Sequence, residues 1–154
     1  DGKDQNDEGL WWRGVERVRE AAKQVADLVS TGHAVLVHCS DGWDRTPQLT
    51  TLAIIMLLSR DGHQLTPDEL IILVQREWIS MGHRFATRHS HHHPPQTNST
   101  QTPTNTEAAP IFLQFLDCLR GMPACGGVLG VVGELERCSF DPRGPFRGDC
   151  DRDR

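Results

Sequence analysis

The sequence has little apolar material and no long hydrophobic run. Only 37% of its 154 residues are hydrophobic, and the mean hydropathy is −0.46. The longest apolar run, Leu52 to Leu58, is too short to cross a bilayer, and the acidic stretch 1–8 is unlike a secretory signal. The composition therefore predicts no membrane span and no secretory leader, and it predicts that part of the chain lies outside any packed core.

Positive charge is also scarce, since the formal net charge is −5. A nucleic-acid-binding protein is expected to show a basic face, and no basic stripe is visible, so we expect no nucleic-acid partner. Anion binding by this chain must therefore be local. That condition directs attention to three arginines, Arg45, Arg84 and Arg88.

The histidines and cysteines do not form a metal-binding pattern. The histidine cluster at 89–93 has no suitably spaced carboxylate or cysteine partners, so neither a metal nor another cofactor is expected. The five cysteines show no repeated spacing, which favours a reducing cytosol over a disulfide framework. They are Cys39, Cys118, Cys125, Cys138 and Cys150.

One stretch carries a recognisable chemistry. Residues 38–46 read His-Cys-Ser-Asp-Gly-Trp-Asp-Arg-Thr and so contain Cys-x5-Arg. An apolar run, Ala34–Val37, precedes this stretch, and Pro47 opens an apolar-periodic stretch after it. This order predicts a strand, a loop and a helix. A loop that enters a helix N-terminus directs its backbone N–H groups at one point and forms an anion site.

Within this loop, Cys39 takes the first position of the anion site and Arg45 the last. A helix N-terminus and a guanidinium group both favour the thiolate form of a cysteine. A thiolate that faces a phosphate held by N–H groups and a bidentate arginine is arranged for nucleophilic phosphoryl transfer. Gly42 suits a backbone that must turn sharply with positive φ.

Amphipathic periodicity and helix-start signals predict four helices, at 11–29, 47–58, 67–81 and 111–119. Polar composition predicts disorder in residues 1–9, a His/Pro/Thr-rich insertion at 89–109 and a disordered Gly/Pro-rich tail at 121–154. Residues 10–120 are then the domain that carries the loop.

The loop is similar to the signature of the myotubularin phosphatases, and three further blocks resemble that family in order. These are Pro47–Thr50, Glu77–Phe85 and Pro110–Cys118. The resemblance implies an α/β fold of the cysteine-dependent, protein-tyrosine-phosphatase-like type, of which the chain holds only the C-terminal portion. It also implies removal of the 3-phosphate from phosphatidylinositol 3-phosphate and 3,5-bisphosphate, through a phosphocysteine intermediate.

The resemblance further implies a phosphoinositide headgroup at a membrane surface as the partner molecule. A cytoplasmic location peripheral to endosomal membranes is expected, together with homo- or hetero-oligomers of family members. The family pattern places a lipid-binding domain and the first part of the phosphatase domain ahead of this region, and we expect the chain to lack both. We therefore expect the isolated chain to be a weak or inactive enzyme without a stable fold.

The resemblance also assigns roles to individual residues. The leaving alkoxide needs a proton, and the loop offers two carboxylates, Asp41 and Asp44, between which the physical argument does not choose. By resemblance Asp44 is the general acid, Asp41 helps to shape the loop, and Arg84 and Arg88 contact other phosphates of the headgroup. The remaining substrate-binding residues are expected to be Ser40, Asp41, Gly42, Trp43 and Thr46.

Two other functions fit the same loop. One is a dual-specificity protein phosphatase, which activity on a phosphopeptide would reveal. The other is a catalytically incomplete fragment that binds phosphate or a partner subunit. The intact set of Cys39, Asp44 and Arg45 argues against degeneration of the loop.

Overall fold

The computed structural model describes residues 2–88 and 108–128. In these ranges the elements are helical, and in chain order they are α1 Gly2–Ser30, α2 Arg45–Arg60, α3 Pro67–Val74, a π-helix Gln75–Ile79, α4 Phe85–Arg88, α5 Ile111–Leu119 and a 3-10 helix Pro123–Val128. None of the helices in these ranges is both long and apolar enough to cross a membrane.

The core lies where α1, α2 and α5 meet, with the π-helix closing one side. Its largest side chains are almost completely shielded from solvent and come from every one of the longer elements except α1. They are Trp78, Phe115, Leu52, Ile55, Leu70, Leu116 and Leu119. Helix α1 contributes small residues instead, because Ala22 and Ala26 are fully buried and allow a close approach.

Two polar residues of α2 are also buried in this core. The Gln48 side-chain amide donates to the Ile111 carbonyl at 3.0 Å and to Gln114 Oε1 at 3.1 Å. The Thr51 hydroxyl accepts a hydrogen bond from Trp78 Nε1 at 3.1 Å. A buried polar group that loses its partner costs about 1–3 kcal/mol. Separating α2 from α5 or from the π-helix would break these bonds, so they hold the three elements together.

The predicted helices are present, with different ends. Helix α5 spans Ile111–Leu119 as predicted, and α2 extends two residues beyond the predicted range at each end. Helix α3 begins with the predicted capping box between Thr66 and Glu69. The predicted helix 67–81 is divided, because α3 ends at Val74 and a π-helix continues to Ile79.

The predicted strand Ala34–Val37 is absent from the described structure, where these residues form no regular element. Leu36 is 86% exposed, although a strand covered on both faces would bury it. No strand occurs anywhere in residues 2–88 and 108–128, so this segment has no neighbour to pair its backbone groups with. The α/β architecture therefore remains a prediction.

Both predicted disordered ends also need correction. Helix α1 begins at Gly2, whereas disorder was predicted over 1–9; no proline interrupts the backward extension of this helix. Residues 121–128 belong to the fold, since Ala124 and Cys125 of the 3-10 helix are buried. The rest of the predicted tail, 129–154, and most of the predicted insertion, 89–107, lie outside the described residues.

Candidate active site

The Cys-x5-Arg loop lies between the irregular segment 33–38 and the N-terminus of α2. Gly42 adopts φ +86°, which other residues reach only at a cost, and this turn brings the loop backbone round the sulfur atom. Asp44 is the N-cap of α2 but makes no side-chain capping bond. Its carboxylate is thus available for contacts outside the helix.

The Cys39 sulfur atom is the point on which the loop donors converge. The Gly42 N–H and the Thr46 hydroxyl each donate to Sγ at 3.2 Å. Partial burial by itself raises the pKa of the thiol. It is outweighed by the Thr46 hydroxyl and by backbone N–H groups of Gly42, Asp41 and Thr46, so that the pKa falls to about 6. The thiolate therefore predominates at neutral pH, as a nucleophile requires.

Arg45 and its neighbours form the open side of the loop. The Arg45 guanidinium donates from Nη2 to Ser40 Oγ at 3.3 Å, and Ser40 Oγ donates to Asp41 Oδ2 at 3.5 Å. All three residues are exposed. The guanidinium that was predicted to bind phosphate is therefore accessible to a ligand from solvent.

Asp44 and Arg88, which are both predicted site residues, are bound to each other. Arg88 donates from Nη2 to Asp44 Oδ2 at 2.6 Å and from Nε to the two carboxylate oxygens at 3.3 and 3.1 Å. The two side chains are only 17% and 16% exposed, so solvent screens the pair weakly. Arg88 is thus engaged with the candidate acid of the loop.

Trp43 and Arg84 make a further contact between predicted site residues. The Arg84 guanidinium carbon lies 4.1 Å from the centroid of the Trp43 ring, within the range of a cation–π interaction. The Trp43 indole N–H is buried without a hydrogen-bond partner among the described residues. Trp43 therefore contacts Arg84 through the face of its ring, and its indole N–H makes no hydrogen bond within the described ranges.

His83 belongs to the site although the sequence did not single it out. Its Nδ1 atom lies 2.8 Å from the Trp43 carbonyl oxygen and 3.0 Å from Asp44 Oδ1. Because these contacts join residues about 40 positions apart, the spacing of neighbouring residues in the sequence does not indicate them. The only signal in the sequence was the position of His83 beside Arg84, in a block that resembles the family.

The structure thus brings the predicted residues together in four small groups, one of which is Arg45 with Ser40 and Asp41. The other three groups are as follows. Cys39, Gly42 and Thr46 meet at the sulfur atom, Asp44 meets Arg88, and Trp43 meets Arg84. No cluster of three or more potential metal ligands occurs in the described ranges.

A low-pKa cysteine and an arginine six residues later, on a loop that opens a helix, define the class of cysteine-dependent phosphatases. The family model of the myotubularin-like phosphatase domain matches residues 4–124 of the chain. The chain therefore belongs to the myotubularin-like phosphatase family.

Named proteins of three animals are similar to part of the chain. Myotubularin of Rattus norvegicus is 46% identical over 110 residues, which are 71% of this chain and 17% of that protein. Phosphatidylinositol-3,5-bisphosphate 3-phosphatase MTMR2 of Pongo abelii is 42% identical over 106 residues, 68% of this chain and 15% of the relative. Phosphatidylinositol-3,5-bisphosphate 3-phosphatase mtm-1 of Caenorhabditis elegans is 40% identical over 114 residues, 73% and 18% respectively. The chain spans less than a fifth of the length of these curated relatives.

Proposed function

We propose that the chain carries the catalytic loop of a phosphoinositide 3-phosphatase that works through a phosphocysteine intermediate. The observation that carries this proposal is the environment of the Cys39 thiol. Its sulfur atom accepts hydrogen bonds from the Gly42 N–H and the Thr46 hydroxyl, and its pKa is about 6. Phosphatidylinositol 3,5-bisphosphate and phosphatidylinositol 3-phosphate are the proposed substrates. The names of two relatives support the first of them.

In the first step, the Cys39 thiolate attacks the 3-phosphorus atom and the bond from phosphorus to the inositol oxygen breaks. The departing oxygen takes a proton from Asp44, and Arg45 with the loop N–H groups holds the phosphoryl oxygens. In the second step, the Asp44 carboxylate takes a proton from a water molecule as its oxygen attacks the phosphorus atom. The bond from sulfur to phosphorus breaks, which releases phosphate and restores the Cys39 thiolate. The Thr46 hydroxyl, which already donates to the sulfur, stabilises the leaving thiolate.

The pairing of Asp44 with Arg88 sets the order of events in this proposal. A carboxylate held in an ion pair is a hydrogen-bond acceptor and not a proton donor. Arg88 must therefore leave Asp44 before that residue can act as the acid. A second phosphate group of the substrate competes for the Arg88 guanidinium: the 5-phosphate of the bisphosphate, or the 1-phosphodiester that both lipids carry. Substrate binding itself would therefore free Asp44, and Arg88 would take its predicted role in substrate binding.

The test compares the wild-type chain with the Cys39→Ser variant on three substrates. These are the two lipids in vesicles and a phosphotyrosine peptide. We expect slow phosphate release from the lipids, in line with the weak activity expected of the isolated chain, and an acid-trapped phosphoenzyme in the wild type. Both should be lost in Cys39→Ser, because a serine hydroxyl does not ionise at neutral pH. Preferential release from the peptide would instead favour a protein phosphatase, and wild-type turnover in Cys39→Ser would remove Cys39 as nucleophile.

The setting proposed for this reaction is the cytoplasmic surface of endosomal membranes, where such lipids meet a peripheral protein. Assembly with a second myotubularin-family chain belongs to the same proposal. Light scattering of the purified chain, with and without vesicles that contain the two lipids, measures both associations.

A second candidate function is phosphate binding without turnover. One observation favours it: the described residues contain no strand, and the segment before the loop is exposed at Leu36, so the loop is supported from its α2 side. Titration of inorganic phosphate into the chain, followed by NMR of the Gly42 amide, distinguishes the two functions. Saturable shifts without any phosphate release would identify a binding module.

A further inference from the structure

His83 lies between the aromatic core and the part of the loop that carries Asp44. Its side chain is 0% exposed, although histidine is seldom completely buried. The imidazole ring makes edge contacts with Trp78 at 4.9 Å and with Phe85 at 4.5 Å between ring centroids. Each of these two aromatic rings is nearly perpendicular to the imidazole ring. Together they fix the plane of the imidazole, so the direction of its Nδ1 atom is defined.

The surroundings of Nδ1 settle which ring nitrogen carries a proton. The two atoms that face it are the Trp43 carbonyl oxygen at 2.8 Å and Asp44 Oδ1 at 3.0 Å. Both are hydrogen-bond acceptors, so Nδ1 must be the protonated nitrogen. His83 thereby binds the loop backbone and the neighbouring carboxylate with one N–H group.

The two oxygens of the Asp44 carboxylate are held from different directions. Oδ1 faces His83 at 3.0 Å, and Oδ2 accepts the shortest bond from Arg88 at 2.6 Å. Arg88 must release the carboxylate if Asp44 is to take up a proton, whereas the His83 ring is fixed by the core. His83 is therefore the contact that still defines the position of Asp44 when the ion pair opens.

We propose that His83 is a positioning residue, which holds the Trp43–Asp44 part of the loop so that Asp44 directs its proton at the leaving oxygen. This proposal rests on the proposed function, because it concerns the acid of that reaction. It assigns a role to a residue that touches neither phosphate nor the nucleophile.

The test uses two variants that differ in hydrogen bonding, of which His83→Leu nearly keeps the volume of the side chain and His83→Asn is smaller. His83→Leu fills the space without a donor, whereas His83→Asn keeps an amide N–H near the position of Nδ1. Each is compared with the wild type on phosphatidylinositol 3-phosphate and on p-nitrophenyl phosphate. The aryl leaving group departs without a proton, so it does not need the acid.

For His83→Leu we expect a loss of about 10²-fold in kcat on the lipid, because a small misplacement of a catalytic group costs this much. The loss on p-nitrophenyl phosphate should be much smaller, and His83→Asn should recover most of the lipid activity. The matched control is His63→Leu, which removes an exposed pair with Glu69 outside the loop and should leave the substrate ratio unchanged. Equal losses of His83→Leu on both substrates, or no recovery in His83→Asn, would reduce His83 to a packing residue and overturn the proposal.

A measurement without turnover separates this proposal from the proposed function. In nitrogen-15 NMR of the wild-type chain, the proton on His83 Nδ1 should be visible and should shift in Asp44→Ala. If the chain hydrolyses neither substrate, the proposed function fails, and the NMR result still decides whether His83 holds Asp44. An Nδ1 proton that is absent, or unaffected by Asp44→Ala, would overturn the positioning role in an active enzyme as well.

Discussion

The two flanks of the Cys-x5-Arg loop differ in how they are supported. On one side, α2 places Leu52 and Ile55 in the core with no exposed surface; on the other, Leu36 is 86% exposed in a segment without regular structure. A helix satisfies its own backbone and needs only a covered face. A strand needs a neighbouring strand for both its hydrogen bonds and its burial. The loop therefore depends on α2 and its core in the described structure.

The largest expected effect follows from removing the central side chain of the supported flank. Trp78→Ala should lower the free energy of unfolding by about 3–5 kcal/mol, because Trp78 is fully buried and binds Thr51. Urea unfolding measures this change. The control Trp12→Ala removes an indole that is 45% exposed and should cost at most about 0.5 kcal/mol. Similar losses in both variants would contradict the assignment of the core.

The next effect tests what α2 contributes to the nucleophile. Thr46→Val removes the hydroxyl that donates to the Cys39 sulfur. A hydrogen bond to a charged group is worth about 1.5–3 kcal/mol, so the pKa of the Cys39 thiol should rise from about 6 by roughly one to two units.

Alkylation by iodoacetamide reports this pKa, with Cys138 and Cys150 replaced by serine. The wild-type rate should rise with pH through about 6 and level off near neutrality, whereas the variant should level off at higher pH. Burial raises the pKa of Cys118 to about 12 and that of Cys125 to about 11, so these two thiols should stay unreactive. Thr50→Val is the control, since that hydroxyl donates to the Thr46 carbonyl; an equal change there would exclude a direct effect on sulfur.

A smaller effect concerns the turn between the two flanks. Gly42→Ala places a side chain at φ +86°, which costs about 1–2 kcal/mol and moves the backbone N–H away from the sulfur. We expect lower stability together with slower alkylation of Cys39 at pH 7. Gly62→Ala, at φ +78° and also without Cβ contacts, should lower stability alone. Slower alkylation in both variants would point to a general loosening of the fold.

The smallest effect is expected at the unsupported flank. Leu36→Ser should change the free energy of unfolding by less than about 0.5 kcal/mol, because the Leu36 side chain is already in solvent. Leu52→Ser, at a fully buried position of α2, should cost more than about 2 kcal/mol. A large loss in Leu36→Ser would show that this segment is covered in solution and would remove the contrast between the flanks.

The same contrast explains which parts of the fold could be predicted from the sequence. The range of α5 was predicted to the residue, because periodic apolar positions and a proline before the first turn define it locally. The strand at 34–37 was wrong for the described structure, because an apolar run indicates burial but does not supply the strands that bury it. The order of residues 121–128 was missed, because a Gly/Pro-rich composition conceals the buried pair Ala124 and Cys125.

At the site, the local geometry of the loop could be predicted and contacts from outside it could not. The spacing of Cys39 and Arg45, and the turn at Gly42, follow from nine consecutive residues. The pairing of Asp44 with Arg88 and the approach of His83 join positions about 40 residues apart. Such contacts depend on how α4 and the π-helix lie against α2, and nothing in the local sequence specifies that arrangement.

The buried pair Gln48 and Thr51 also fixes the rotation of α2 about its own axis. Successive residues of a helix are turned by about 100°, so a shift of one position would direct both polar side chains into apolar surroundings and break their bonds. Because Thr46 is on the same helix, its hydroxyl has only one angular setting relative to the loop. The direction of this donor toward the sulfur is thus determined on the far side of the helix, by bonds to α5 and to the π-helix.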